Sequence, residues 1–402
     1  MQQATGPLQG IRIVDMTSVL MGPFATQILA DYGADVIKIE SAEGDLLRLG
    51  GALRNPKMGS LYLQTNRNKR SVVLDAKSEQ GRTALLALCA ESEVFISNVR
   101  PAAMQRLGLA YEDIKAVNPS IVYVCLVGFG QDGPYKDRPA YDDLIQGISA
   151  VPSLIGRMQN GDPQYVPLTM ADKVVGLSAA PAILAALLHK SRTGVGQSIE
   201  VPMFEVMSQF VLTDHLGGQS FEPPIGPPGY NRLLSPARRP YRTSDGFISA
   251  LVYTDGHWRR FFDLIGRPEE FLRSAMFHDH ATRTRSYDEV YRFLAEEMKT
   301  KTTQEWQVGL EKHDIPWAPT HSIEDLIDDP HLRSVNLLQT IDHQTEGKLR
   351  MIAPPIKFSA TPASIYRHPP GLGEHTDQVL AELAQRAPAS PSAEAEVSTK
   401  AD

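Results

Sequence analysis

Cysteine is scarce in this chain: Cys89 and Cys125 are the only two in 402 residues. Each lies inside an apolar run (LLALCA and IVYVCLV), so both read as buried free thiols, with no disulfide framework or cysteine metal site. An excess of basic charge is also lacking, since 40 Lys and Arg stand against 47 Asp and Glu for a net charge of -7. Without a dense basic run or aromatic–basic interleaving, nucleic acid is not expected as a partner. No apolar run approaches the ~18 residues of a membrane span, and Met1–Pro7 lacks the basic start and apolar core of a signal peptide. The expectation is therefore a cytoplasmic protein without a membrane partner. The dinucleotide turn G-x-G-x-x-G is missing too: the first connection reads TSVLMGPFA, with a lone Gly22 before Pro23, so NAD is not expected. His278-Asp279-His280, at i, i+2 spacing with no further ligands nearby, reads as a surface loop, and no metal is expected.

What is present has the composition of a soluble globular protein, 42% hydrophobic and 22% charged, long enough for two or three domains. Ile11–Met16 (IRIVDM) reads as a buried strand, Pro23–Tyr32 as a helix closed by Gly33, and Asp35–Glu40 (DVIKIE) as the next strand. That is a βαβ crossover, the seed of a parallel sheet covered by helices. A basic turn and strand (Asn66–Asp75), a helix (Ser78–Ala90) and strands at Val94–Asn98 and Ile121–Val127 continue the pattern. Gly217–Pro240, dense in Gly and Pro and aperiodic, reads as a linker. Residues 241–325, with a hairpin at Asp245-Gly246 followed by three helices, read as a small α+β domain. Residues 387–402, rich in Ala, Ser, Pro and Glu, are expected to be a disordered tail.

Residues 161–205 hold the strongest candidate for chemistry. Asp172 stands where a polar, Pro-containing loop gives way to about eighteen mostly apolar residues, Lys173–Lys190, long enough for a buried helix. Unpaired N–H groups and the positive end of the helix dipole would keep its carboxylate ionised. An ordinary N-cap fits the same pattern, although Val175 stands where a capping box would need Glu or Gln. Small residues, Gly176, Ser178, Ala179, Ala180 and Ala182 among them, would let another backbone or a ligand come close, and Pro181 should kink the helix. Other polar groups leave two readings open. Arg67, Lys69 and Arg70 fit a solvated turn or an anion site; Tyr141 fits a rim residue or a hydrogen-bond donor; Arg232, Arg238 and Arg239 fit a solubilising surface or a carboxylate clamp.

Asp172, the small-residue helix and KSRTGVGQ (Lys190–Gln197) resemble the core of the class III CoA-transferases, the formyl-CoA and succinyl-CoA transferase-like family whose sister branch is the 2-methylacyl-CoA racemases. The opening LQGIRIVDMT, then GADVIKIE, NRNKRS, SNVRP with Arg106-Leu107-Gly108, and the closing PPIKFSATP and PPGLGEHTDQVL resemble the family's segments in its order. The resemblance implies a Rossmann-like large domain with a parallel sheet, discontinuous in sequence as 1–216 and a return at 326–386. It also implies an interlaced homodimer.

For the site, the resemblance implies Asp172 as nucleophile with Tyr141 and Gln146 as catalytic partners. Contacts to coenzyme A would come from Ser18, Val19, Leu20, Met21, Lys69, Asn98, Val99 and Arg106, with Lys69 at a phosphate. The formyl-CoA branch carries His at the position of Ser18, Ala at Met21 and Arg where Ser41 stands, which leaves the adenine contacts open. The implied activity is an acyl-CoA:carboxylate CoA-transferase working through aspartyl anhydride and aspartyl-CoA thioester. Its partners are an acyl-CoA and a small carboxylic acid, with dicarboxylates such as succinate as candidates. A racemase using Asp172 as proton acceptor is the alternative, and an acyl-CoA-binding protein without turnover the third reading. Tyr141-Asp142, where racemases carry His-Asp, weighs against the racemase, because a phenol is a poor proton acceptor at neutral pH.

Overall fold

IRIVDM and DVIKIE form the first two strands of a six-stranded parallel sheet in the structure, a computed structural model that describes residues 4–386. The tail expected to be disordered, 387–402, lies outside the described residues. The strands are β1 (Arg12–Met16), β2 (Asp35–Glu40), β3 (Lys69–Val73), β4 (Val94–Ser97), β5 (Val122–Val127) and β6 (Gln197–Pro202), in the order β3-β2-β1-β4-β5-β6. Ile13, Val14, Ile37, Phe95 and Val124 are fully buried, as continuous apolar runs covered on both faces require. Val14 pairs with Ile37 on one side and Phe95 on the other.

Helices α1 (Met21–Asp31), α2 (Ser60–Thr65), α3 (Glu79–Ala90), α4 (Pro101–Leu107) and α5 (Tyr111–Val117) lie between the strands in sequence. Leu85, Leu88, Met104 and Ile114 from three of them share one core with Val14 and Phe95. Cys89 is buried in that core, where burial pushes its thiol pKa up. The connection from β5 to β6 carries α6 (Asp142–Ile148), α7 (Val151–Gln159) and the 24-residue α8 (Met170–Thr193), with Pro181 inside α8. By length and composition α8 could cross a membrane, with a mean hydropathy of 1.6. That corrects the expectation that no run approaches such a length. Its Ala171, Val175, Gly176, Ala179, Ile183 and Ala186 are nevertheless buried in the protein.

The chain divides into two compact units. The first comprises the chain up to Tyr141, Met170–Val206 and the part from Asn336 onward; the second is Asp142–Thr169 with Met207–Val335. These divisions differ from the composition-based boundaries: Asp142–Thr169 groups with the second unit, and α9 (Met203–His215) continues across residue 207. Within the first unit the return segment forms a hairpin, β10 (Leu338–His343) and β11 (Gly347–Ile352), and ends in α19 (Thr376–Arg386). It is stitched to β3: His375 N–H donates to the Ser71 carbonyl at 2.9 Å, Val73 N–H to Thr376 Oγ1 at 3.0 Å, and Arg70 reaches Glu382 at 2.8 Å.

The second unit contains α10 (Asn231–Leu234), inside the stretch expected to be an open linker. β7 (Tyr241–Arg242) and β8 (Phe247–Ala250) make the hairpin expected at Asp245-Gly246, and β9 (Trp317–Pro319) adds antiparallel to β8. α11 (Asp255–Leu264) presents Trp258, Phe261 and Phe262, all fully buried and at i, i+3 and i+4. They pack on Phe277, Phe293 and Trp306. α12 (Pro268–Arg273), α13 (Ala275–His278) and α14 (His280–Arg285) precede α15 (Tyr287–Met298), α16 (Thr303–Lys312), α17 (Ile323–Asp328) and α18 (Pro330–Ser334). Asp279 caps α14 by accepting the Thr282 N–H at 2.8 Å. The His-Asp-His triplet is thus a junction between helices rather than an open loop.

Candidate active site

Between β1 and β4 the winding reverses, with β2 and β3 on one side of β1 and β4, β5 and β6 on the other. Open parallel sheets collect ligands at the carboxyl ends of their strands at such a point. Here the β1–α1 loop is held residue by residue. Thr17 N–H donates to Asp15 Oδ1 at 2.9 Å, and Lys38 Nζ donates to the Thr17 carbonyl at 2.8 Å. Ser18 exchanges both backbone groups with the Asn98 amide, its N–H to Oδ1 at 3.0 Å and its carbonyl from Nδ2 at 2.9 Å. Val19 N–H donates to Asp45 Oδ1 at 3.0 Å, with a φ of 67°. A β-branched residue in the left-handed region is strained by about 1–3 kcal/mol and persists only where its surroundings dictate it.

Those surroundings are a buried lattice of charge. Asp15, Lys38, Lys69 and Arg48 are fully buried, and Glu40 and Asp45 nearly so. Lys38 pairs with Asp45 at 2.8 Å, Lys69 with Asp15 at 3.2 Å, and Arg48 holds both Glu40 oxygens at 2.7 Å. Burial would raise the Asp15 carboxyl, but the Lys69 and Lys38 ammonium groups and the Thr17 and Thr26 hydroxyls outweigh it and hold its pKa below the ordinary value. Burial likewise opposes Glu40, where Arg48 and Lys38 win and the pKa falls. Lys38 is held above its ordinary value against burial by Asp45, Asp15 and Glu40. None of Asp15, Lys38 or Asp45 was a sequence-predicted site residue. The available signal was charge inside otherwise apolar strands, the Asp of IRIVDM and the Lys and Glu of DVIKIE.

Lys69 belongs to this lattice rather than to an open surface. Its ammonium donates to Asp15 at 3.2 Å, the Pro23 carbonyl at 2.9 Å and Asn66 Oδ1 at 2.9 Å, which uses all three of its donors. In this geometry it has no donor left for a phosphate. Its neighbours are spoken for as well, Arg67 by Asp31 and Arg70 by Asp35 and Glu382. The solvated-turn reading of the three fails with it.

α8 begins at Met170, so Asp172 lies inside the first turn and not at the cap. Gly176 shares its face, four residues on. A Cβ at Gly176 would stand 2.8 Å from the Met21 carbonyl oxygen, so α8 packs backbone-close on the start of α1. α1 follows the carboxyl end of β1, and α8 leads through a tight turn to the amino end of β6, where Gly196 abuts the Ile121 carbonyl. Both helices therefore run from the carboxyl edge of the sheet towards the amino edge. Asp172, one turn before Gly176, stands about 6 Å further towards the carboxyl edge, the edge from which the Ser18–Leu20 loop enters α1.

The other predicted residues divide. Leu20 and Met21 are buried where the loop enters α1, and Asn98 bridges to Ser18 as described. Val99 N–H donates to Ser97 Oγ at 3.0 Å. Arg106 is exposed in the last turn of α4, and Tyr141 is 66% exposed. Gln146 is fully buried in the second unit with both ends of its amide committed. Its Nε2 donates to Asp142 at 2.6 Å and the Leu168 carbonyl at 3.2 Å, and its Oε1 accepts from Val166 N–H at 3.0 Å. It thereby fastens the stretch that leads into α8.

Strand order defines a doubly wound α/β protein, a class whose ligands collect at the switch point. Within that class, the family model described as CoA-transferase family III matches residues 8–376. The chain belongs to this family and is an enzyme of the CoA-transferase type. It is 33% identical over 385 residues to a succinate–glutarate CoA-transferase of Agrobacterium fabrum, covering 94% of this chain and 96% of that one. It is also 33% identical over 401 residues to a formyl-CoA:oxalate CoA-transferase of Streptomyces avermitilis, covering 93% and 95%. Among solved structures, a CAIB/BAIF family protein from Brucella suis matches with a TM-score of 0.79 and 30% identity, covering 94% of this chain and all of the other.

Proposed function

We propose that the enzyme moves CoA from an acyl-CoA donor to a free carboxylic acid, with the Asp172 carboxylate as the group that carries it. The observation behind this reading is the placement of Asp172 in the first turn of α8, one turn before the Gly176–Met21 contact. That places an anion at the positive end of a helix, towards the ligand-collecting edge that carries the strained loop. An Asp172 oxygen attacks the thioester carbonyl and expels CoA thiolate, forming a mixed anhydride. The thiolate attacks the Asp172 carbonyl carbon, releasing the donor acid and leaving an aspartyl-CoA thioester. The acceptor carboxylate attacks that thioester, and thiolate then attacks the acceptor carbonyl of the second anhydride, restoring Asp172. Each bond broken is replaced by another activated acyl bond, so transfer potential is conserved.

In this reading the Ser18–Met21 loop, Asn98 and Val99 line the CoA site, and Arg106 supplies an exposed cation for its phosphates. Tyr141 donates to an acyl or anhydride oxygen. Gln146 is a positioning residue that sets the entry to α8. The relatives' names support carboxylic acids as the exchange partners, with dicarboxylates such as succinate among the candidates, and the working form is an interlaced homodimer. Incubation with acyl-CoA should give a hydroxylamine-sensitive adduct that mass spectrometry maps to Asp172, and Asp172→Ala should lower turnover by about 10⁴-fold. Deuterium entering the α-carbon with no covalent species would overturn the reading in favour of racemisation.

A further inference from the structure

The second unit contains a cavity of about 450 Å³ that the proposed chemistry leaves without a role. Its wall is made by β7, the end of β8 and β9, with the chain before β7 folded across it, and it is lined by Tyr241, Leu251, Tyr291, Pro316 and Trp317. Three arginines share this wall: Arg232, Arg238 and Arg239. Arg238 and Arg239 are exposed, and among the described residues none of the three pairs with a carboxylate. Arg232 lies over the Tyr253 ring at 5.2 Å, and its Nε is buried with no hydrogen-bond partner. A buried, unmatched guanidinium nitrogen is costly, and three like charges around one opening repel. The repulsion is relieved by an anion at the mouth.

We propose that this cavity is a binding site for an organic carboxylate with a flat or hydrocarbon body, the carboxylate held by the arginines and the body lying against Trp317, Tyr241 and Leu251. Succinate alone would leave most of 450 Å³ empty; an aryl or medium-chain acid fills it and removes apolar surface from water. The site deepens the CoA-transfer reading by naming the class of acid that this enzyme takes up, and it rests on that reading only for the acid's fate. Binding itself is independent of Asp172.

Trp317 makes the test direct. It is one of three tryptophans, and the only one of them that lines the cavity, Trp258 and Trp306 being fully buried in the aromatic core behind it. The full-length Asp172→Asn protein, unable to turn over, is titrated with phenylacetate, hexanoate, succinate and inorganic phosphate while tryptophan emission is followed. Phenylacetate and hexanoate should shift the emission saturably, the Trp317→Phe variant should lose the signal, and Arg238→Gln or Arg239→Gln should weaken binding about tenfold or more. Calorimetry on the Trp317→Phe protein checks that binding itself survives. Equal binding by the arginine variants, or phosphate binding in place of carboxylates, overturns the proposal. So does emission that tracks protein concentration alone, which would make the cavity a contact for a second copy. An Asp172 adduct without acid binding defeats this site and leaves the transfer reading standing; acid binding without an adduct does the reverse.

Discussion

Two regions of the molecule, one in each unit, treat charge in opposite ways. In the first, every buried cation beside the β1–α1 loop has its carboxylate: Lys38 with Asp45, Lys69 with Asp15, Arg48 with Glu40. In the second, Arg232, Arg238 and Arg239 gather around a cavity with no carboxylate partner among the described residues. The contrast separates two uses of ionic groups. A matched, buried lattice fixes a backbone, because each pair is satisfied only in one geometry. An unmatched cluster on a wall is poised for a ligand that arrives from solution.

The largest effect that can break this contrast is on stability. Lys38→Met strands the Asp45 carboxylate in the interior and frees the Thr17 carbonyl, and it should cost about 3–5 kcal/mol by urea denaturation. Arg238→Gln and Arg239→Gln should each stay within about 0.5 kcal/mol of the parent, since they remove repulsion and no buried pair. If the arginine variants lose as much as the Lys38 variant, the second-unit cluster is structural and the division fails.

Much of the first unit was legible because its signals are local. The period of IRIVDM and DVIKIE, the Gly33 stop and the small-residue helix before KSRTGVGQ all read correctly, and the resemblance placed them in one family. What the sequence hid was long-range. Lys69 looked like a basic turn because Asp15, its partner, is 54 residues away. Gln146 was singled out by the resemblance alone, and nothing in the sequence signalled that the Val166 N–H and the Leu168 carbonyl, two backbone groups, meet its amide beside Asp142. Val19 gave no sign of a left-handed backbone, since valine avoids it; the strain appears only once Asp45 and Asn98 have been brought around the loop. The third strand of the small sheet was missed for the same reason, β9 pairing with β8 across a long stretch of helices.

Acid sharpens the contrast with a smaller effect. Asp15 and Glu40 have folded-state pKa values below their ordinary 3.8 and 4.5, burial being outweighed by Lys69 and Lys38 at the first and by Arg48 at the second. Near pH 4 these two carboxyls therefore bind fewer protons in the folded chain than in the unfolded one. The stabilisation is complete above the ordinary values and lost as the pH falls through the lower, folded ones. Glu40→Gln should lower stability at pH 7 yet flatten the decline between pH 5 and pH 3, followed as melting temperature against pH. Acid binding to the cavity should follow the ligand's own ionisation. An unchanged acid limb in Glu40→Gln would show that the lattice is not what acid dissolves.

The smallest effect concerns Val19. Glycine at this position releases left-handed strain of about 1–3 kcal/mol and gives back about 0.4–1 kcal/mol through the freer unfolded chain, so Val19→Gly should gain about 1 kcal/mol of stability. The same change should raise KM for acyl-CoA with little change in kcat, because the loop keeps its anchors to Asn98 and Asp45 but loses a fixed side chain at the crevice. A gain in stability with weaker substrate binding would mean that the lattice spends its rigidity on holding one residue where ligand chemistry wants it. A loss of stability would mean that the Val19 side chain itself packs the loop, and that the lattice follows the strain rather than enforcing it.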